Sequence, residues 1–427
     1  MLIFRLSTLL CVSIFPASSV LAQVSIVQAP TNFEFVDMGY DVDADEVAIV
    51  GHVINPDDSS DRTATLFELN ANQDGFTTQT LANLPGATSN AEVNGISSDG
   101  VRIAGTSSSS NAIDIEGATW LRSSPNIAIG TGFISSFPNR SSSLGAWKDG
   151  VVGESGGQIR PTTWTAQNGI QELSGTSNGI AIALEASVDG NVIVGFSSHE
   201  VFDGAAYYWE NNVINRLDDT VLGFTTINSV ARNVSPNGNY IGGEILLQDP
   251  QDNVLSVPVV WEGSTRTLRV LRDPDGSLVQ GNVLDISDLG YATGTFANVS
   301  LTDSFGFIWN PSFGDNVEIF EDWLTIRQFD YSPQIRTFAT NSISEDRVNG
   351  TLRFTSLTDN GFSFVEVAIV DMVLGDVNQD SAVDFLDISP FIGVLAAGEF
   401  QFEADVDQNG VVNFLDIPAF IAILAGQ

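Results

Sequence analysis

The sequence predicts a mainly β chain, a seven-bladed propeller-like repeat domain followed by a small all-α domain. Three observations carry this reading: a unit recurring about every fifty residues between 38 and 370, short apolar runs entered through Asp-Gly or Asn-Gly turns, and two matching loop–helix segments in the last 52 residues.

The chain has 427 residues, 53 Asp+Glu against 16 Lys+Arg, a formal charge of -37 and 43% apolar residues. That apolar share is enough to build a core in spite of the charge. The basic residues are Lys148 and 15 arginines, with no Lys/Arg-rich run to neutralise a phosphate backbone or an anionic lipid face. Nucleic acid and acidic membrane are therefore not expected partners.

The first 22 residues contain Arg5, an apolar stretch from Leu6 to Phe15, Pro16 and the small-residue end Val20-Leu21-Ala22. This is the layout of a secretory signal peptide, and it predicts a secreted, extracellular or cell-surface protein. Cleavage before Gln23 removes Arg5 and no acid, leaving 15 basic against 53 acidic residues and a charge of -38. It also removes Cys11, the only cysteine. The mature chain then has no disulfide, no thiol nucleophile and no cysteine-based zinc site. No later segment has the run of about 18 apolar residues that a membrane span needs. The expected domains are 1–22 signal peptide, 23–370 repeat domain and 371–427 calcium-binding domain.

Each repeat opens with a turn, an apolar strand and a glycine. The clearest copies are Ile96-Ser-Ser-Asp-Gly-Val-Arg-Ile-Ala-Gly105, Ala186-Ser-Val-Asp-Gly-Asn-Val-Ile-Val-Gly195 and Val234-Ser-Pro-Asn-Gly-Asn-Tyr-Ile-Gly-Gly243. Looser copies end at Gly51, Gly153, Gly294 and Gly350, which makes seven units. After a polar loop each unit reaches an aromatic: Phe67, Trp120, Trp164, Trp209, Trp261, Trp309 and Phe364. Fifty residues hold about four short strands, which is one propeller blade. The early apolar stretch at Val24 to Val27 or Phe33 to Val36 is placed to complete the last blade. A β-sandwich pair or an open β-solenoid would satisfy the same spacing. The aromatic series reads as blade core, leaving Trp147 and Trp323, outside that register, as candidate exposed binding aromatics. The only histidines, His52 and His199, read as surface residues and leave little room for a Ser-His-Asp arrangement.

The segments Gly95-Ile-Ser-Ser-Asp-Gly100, Gly117-Ala-Thr-Trp120 and Gly204-Ala-Ala-Tyr-Tyr-Trp209 resemble the bacterial extracellular HAF-family repeat. The resemblance covers residues 38 to 370, without the His-Ala-Phe triplet of the family, and implies an extracellular β-repeat protein with no established activity.

The strongest chemical signal is C-terminal. Asp376-Val-Asn-Gln-Asp-Ser-Ala-Val-Asp-Phe-Leu-Asp387 is answered 29 residues later by Asp405-Val-Asp-Gln-Asn-Gly-Val-Val-Asn-Phe-Leu-Asp416. Oxygen side chains at loop positions 1, 3, 5, 9 and 12 wrap a hard cation, and the set favours Ca2+ over zinc or magnesium. The candidate ligands are Asp376, Asn378, Asp380, Asp384 and Asp387 with the Ala382 carbonyl, and Asp405, Asp407, Asn409, Asn413 and Asp416 with the Val411 carbonyl. Apolar residues at helical spacing follow each loop, with Pro390 and Pro418 in the first turn, where a missing N–H costs nothing. Both units read as the exit half of an EF-hand.

Two loop–helix units with Asp at position 12 resemble dockerin domains, the modules that bind cohesins. The match runs from Asp376 to about Leu424 through the shared Asp-Val-x-Gln and Phe-Leu-Asp-Ile segments. It departs at Ser381, which stands where the second loop has Gly410, and at positions 10 and 11, where Phe385-Leu386 and Phe414-Leu415 replace the Ser-Thr pair of many dockerins. The resemblance implies a calcium-binding module and a cohesin-like protein or cell-surface scaffold as partner.

The function expected is a non-enzymatic binding or structural propeller attached through its dockerin. The alternative is an extracellular polysaccharide-degrading enzyme, a glycoside hydrolase or lyase, or a carbohydrate-binding accessory protein. A third reading makes the module purely intramolecular. Close carboxylates of raised pKa in a central pocket would favour an enzyme.

Calcium titration of the mature protein is expected to give about two bound ions. Asp405→Ala should weaken binding more than Asp376→Ala, because Ser381 costs on the order of 1 kcal/mol at the sharp turn where Gly410 costs nothing. Site-resolved titration in which the first loop fills first would reverse that order.

Overall fold

The computed structural model describes residues 24–368, apart from 42–45, 71–74, 88–90, 109–114, 135–142, 156–159, 175–179, 199–203, 274, 298–303, 327–336, 347–350 and 360, and then 375, 377, 383–397, 404, 406 and 412–424. The expected signal segment 1–22, His199, Gly350 and several of the expected calcium-ligand positions lie outside these residues.

Seven four-stranded antiparallel sheets form in the order of the repeats. We number the blades 1 to 7 by their innermost strands: Phe33–Asp41, Glu92–Ile96, Ser143–Trp147, Ile180–Ala186, Thr225–Val234, Gln280–Ile286 and Thr337–Asp346. In six blades the next three strands follow in sequence; in blade 7 the outermost strand is instead Val24–Gln28, paired with Gly361–Ala368. The first of the two apolar stretches therefore closes the ring, and Phe33 to Val36 begins blade 1. Closure of this kind removes the open edges that a β-sandwich pair or a solenoid would keep.

In the three clearest repeats the opening turn bonds to itself. Ser97 Oγ donates to Asp99 Oδ1 at 2.6 Å, the same oxygen takes the Val101 N–H, and Arg102 N–H returns to Ser97 Oγ. Ser187, Asp189, Asn191 and Val192 repeat this pattern, as do Ser235, Asn237, Asn239 and Tyr240. Gly100 and Gly190 complete these turns at φ +71, a conformation open to glycine without Cβ strain.

Every innermost strand is bulged. The pairing shifts across Val36, Asn94, Leu144, Leu184, Arg232, Leu284 and Asn341. Near the bulge a backbone carbonyl of the innermost strand lies close against the second strand, and this explains the repeat glycine. A Cβ at Gly51, Gly105, Gly195, Gly243 or Gly294 would collide with the carbonyl oxygen of Glu34, Glu92, Ile182, Val230 or Asn282 respectively. In blade 7 the residue at this register is Ser356, opposite Thr340, so Gly350 is not the seventh counterpart.

The aromatic mark holds in six blades and shifts in the seventh. Phe67, Trp120, Trp209, Trp261 and Trp309 are fully buried, and Trp164 nearly so. Trp120, Trp209 and Trp261 donate their indole N–H to Ala82 O, Ser174 O and Asp218 O, in the chain arriving from the preceding blade. In blade 7 the corresponding residue is Val365, opposite Phe354; Phe364 is one position away and packs instead with Phe35 and Phe67 of blade 1. Trp147 and Trp323 are not exposed platforms. Trp147 packs against Ile193 and Trp209, and Trp323, on helix α1 (Phe320–Ile326), lies in the core with Phe320 and Phe354.

His52 is also interior, at 5% exposure, with Nε2 accepting the Val93 N–H at 3.3 Å. Desolvation, and then the Arg62 charge, push its pKa down to about 4, so the imidazole is a neutral link between blades 1 and 2.

Gly243→Ala is expected to destabilise the ring by about 1–3 kcal/mol, the range for forcing a methyl into a filled site. Denaturant unfolding of the two proteins checks it; equal midpoints would show that the Val230 carbonyl moves aside freely.

Candidate functional sites

In the C-terminal segment, helices α2 (Ile388–Ala397) and α3 (Asp416–Leu424) follow the two loops as the spacing predicts. Phe391 and Phe420 stack at 4.2 Å, in a core with Val377, Ala404, Val406 and Val412. The loop ends are superimposable in their bonding. Asp387 Oδ2 accepts the Asp384 N–H at 2.9 Å, and Asp384 Oδ1 accepts the Leu386 N–H at 2.7 Å. Asp416 Oδ2 accepts the Asn413 N–H at 2.8 Å, and Asn413 Oδ1 accepts the Leu415 N–H at 2.7 Å.

Of the twelve expected ligand positions, the described residues include Asp384, Asp387, Asn413 and Asp416. Asp376, Asn378, Asp380, Ala382, Asp405, Asp407, Asn409 and Val411 lie outside them. Among the described residues no group of three or more His, Cys, Asp or Glu is gathered as a metal centre. The chemistry of the segment nevertheless fits calcium. Asp387 and Asp416 are fully buried, and residues 371–427 hold ten acidic side chains and no Lys, Arg or His. Buried carboxylates are stabilised by hydrogen-bond donors and by positive charge, and a calcium ion held at Asp387 or Asp416 would supply that charge. At positions 10 and 11, by contrast, Phe385, Leu386, Phe414 and Leu415 are 66–78% exposed.

The second site lies on the propeller axis and was not read from the sequence. The residue after each bulge is Asp37, Gly95, Gly145, Glu185, Asn233, Asp285 or Ser342, from blade 1 to blade 7. Where this residue has a side chain, it reaches to a neighbouring blade. Asp37 Oδ2 accepts the Ile96 N–H at 2.8 Å, and Asp285 Oδ2 accepts the Ile343 N–H at 2.8 Å. Glu185 bonds the Val234 backbone, Asn233 Nδ2 donates to Val283 O at 3.0 Å, and Ser342 bonds Asp37. At blades 2 and 3 the glycines leave this ring open.

Asp37, Glu185 and Asp285 form a waist between two axial cavities, of about 490 and 310 Å³, and line both. The larger cavity opens among the Ser-x-Asp-Gly turns and also carries Asp41, Asp99, Asp288, Glu345 and Lys148. The smaller contains Arg232, whose guanidinium is held by Glu244 at 2.7 and 2.6 Å. Desolvation raises the Asp37 pKa to about 6, against which the N–H groups of Ile96 and Met38 pull it down. Desolvation and then the neighbouring carboxylates hold Glu185 and Asp285 well above the usual range. The waist carboxylates therefore hold their protons to higher pH than ordinary carboxylates do, and the same side chains latch neighbouring blades together.

Because these carboxylates titrate higher in the folded chain than in the unfolded one, their contribution to stability is complete below about pH 4 and is lost as pH rises through 6 and above. The propeller's melting temperature should fall as pH rises from about 4 through about 6, and Asp37→Asn should flatten that fall. Parallel slopes for the two proteins would remove Asp37 from the explanation.

Residues 374–424 match the family model of the dockerin type I domain. No curated protein matches the chain. Among solved structures, the β-propeller domain of the Trilobed protease from Pyrococcus furiosus aligns at 13% identity and TM-score 0.45, over 80% of this chain and 94% of that one. The oligogalacturonate lyase of Vibrio parahaemolyticus aligns at 11% and 0.44, over 82% and 95%. TolB from Acinetobacter baumannii aligns at 15% and 0.36, over 58% of this chain and 56% of that one, so this chain spans little more than half the length of that TolB. At these values the likenesses carry nothing about activity. The fold rests on the seven sheets themselves, and the family match is confined to the C-terminal dockerin type I domain.

Proposed function

We propose that this chain is a secreted attachment protein in which residues 371–427, a calcium-organised dockerin, dock the propeller of residues 23–370 onto a cohesin-like or cell-surface scaffold. The observation that carries this reading is the repeated pair Phe385-Leu386 and Phe414-Leu415. Large apolar side chains left 66–78% exposed at equivalent positions of two loops form surface of the kind that partners cover. The buried Asp387 and Asp416, one at the end of each loop, tie the orientation of these pairs to calcium. Such a surface calls for apolar pockets on the partner rather than polar hydroxyl contacts.

A second reading, a polysaccharide-degrading enzyme, draws its support from the axial waist, where carboxylates of raised pKa face cavities on both sides. The bonds from Asp37, Glu185 and Asp285 to neighbouring blades favour a latch, and for that reason the attachment reading is preferred. The propeller would then be the cargo or recognition head.

Calorimetric titration against a panel of cohesin domains tests the attachment reading. Binding should vanish with a chelator, and the double variant Phe385→Ala/Phe414→Ala should lose about tenfold or more in affinity, as truncating an interface anchor does. Retention of full affinity by the double variant would place the contact elsewhere. Hydrolysis that disappears in Glu185→Gln would instead favour the enzyme.

A further inference from the structure

Three of the chain's 16 basic residues, Arg266, Arg269 and Arg272, fall within seven positions at the outer edge of blade 5. In a protein of charge -37 every arginine has carboxylates to choose from, and Arg269 takes two: Glu262 at 2.9 Å and Asp315 at 3.7 Å. Arg266 and Arg272 take none among the described residues.

Arg266 is nine-tenths buried, at 9% exposure. Its guanidinium lies 4.9 Å from the ring centroid of Tyr208 in blade 4, Nη1 donates to Gly238 O at 2.6 Å and Asn239 O at 3.3 Å, and Nε is buried without an acceptor. The backbone holds it at φ +51, a conformation that non-glycine residues seldom adopt and that persists where surrounding structure enforces it. Arg272 donates Nη1 to Gly276 O at 3.0 Å. Both arginines line one recess of about 550 Å³, with the hydroxyl residues Thr220, Thr265 and Thr267. A buried guanidinium without a carboxylate is costly, and an anion supplied from outside offsets that cost with charge-assisted hydrogen bonds.

We infer that this recess binds the carboxylate of a small polyhydroxylated monoanion, a sugar acid, with Arg266 and Arg272 holding the charge and the threonines facing the hydroxyls. The choice of a monoanion follows from Asp218 and Asp315, which also line the recess and repel further negative charge. The site lies on the outer edge of blade 5 and uses none of the axial or C-terminal residues.

The experiment is titration of the full chain with D-glucuronate, with glucose as the neutral control and inorganic sulfate as the dianion. Glucuronate should bind saturably and more tightly than sulfate, and glucose should give no saturable signal. Arg272→Gln should weaken glucuronate about tenfold, the loss expected for one charge-assisted contact of about 1.4 kcal/mol, while Arg160→Gln, on blade 3 and outside the recess, stays within about twofold. Arg266→Gln should abolish binding; if it fails to fold, Arg272→Gln alone decides. Absence of saturable glucuronate binding, equal binding of glucose or sulfate, or unchanged affinity in a folded Arg272→Gln protein would overturn the inference.

Discussion

The bulge in the innermost strand of each blade is the constraint on which the rest of the propeller depends. One extra residue resets the alternation of the strand and turns the following side chain toward the neighbouring blade. Just before it, a carbonyl that lies against the second strand is why glycine recurs where a strand would otherwise favour a β-branched residue. The turned side chain is why Asp37, Glu185, Asn233 and Asp285 reach across to the next blade. Repeat motif and interblade bonding thus meet in the same few residues of the innermost strand.

This accounts for what was legible in the sequence. The glycine and the Ser-x-Asp-Gly turn recur because each is enforced locally, and a period of fifty residues follows directly. Blade 7 departs from the pattern where its local enforcement differs: Ser356 stands at the glycine register, and Phe354 holds the aromatic on the facing strand. The burial of Trp323 and His52 is not legible in the sequence because it comes from residues distant along the chain, Phe354 for one and Val93 for the other.

The axial waist was invisible for a different reason. Strand side chains alternate with period two, and a bulge resets that phase at a point no hydropathy pattern marks. Among 53 acidic residues nothing distinguishes Asp37, Glu185 and Asp285 until the bulges are placed. The C-terminal loops are the opposite case. Their ligand pattern is contiguous in sequence, so spacing alone locates the helices and the position-12 carboxylates, though not that Phe385 and Phe414 would stand exposed beside them.

The strand Val24–Gln28, which completes blade 7, has a consequence for how the protein is made. Its partner, Gly361–Ala368, is more than three hundred residues away, so the ring cannot be sealed until nearly the whole repeat domain has emerged. Contacts of such sequence separation form slowly, because a long loop must close before they are rewarded. Until then the waiting segment is an unpaired strand, and an incomplete ring presents an open edge to other chains. Folding delayed until the last blade has arrived keeps that edge exposed for the shortest time.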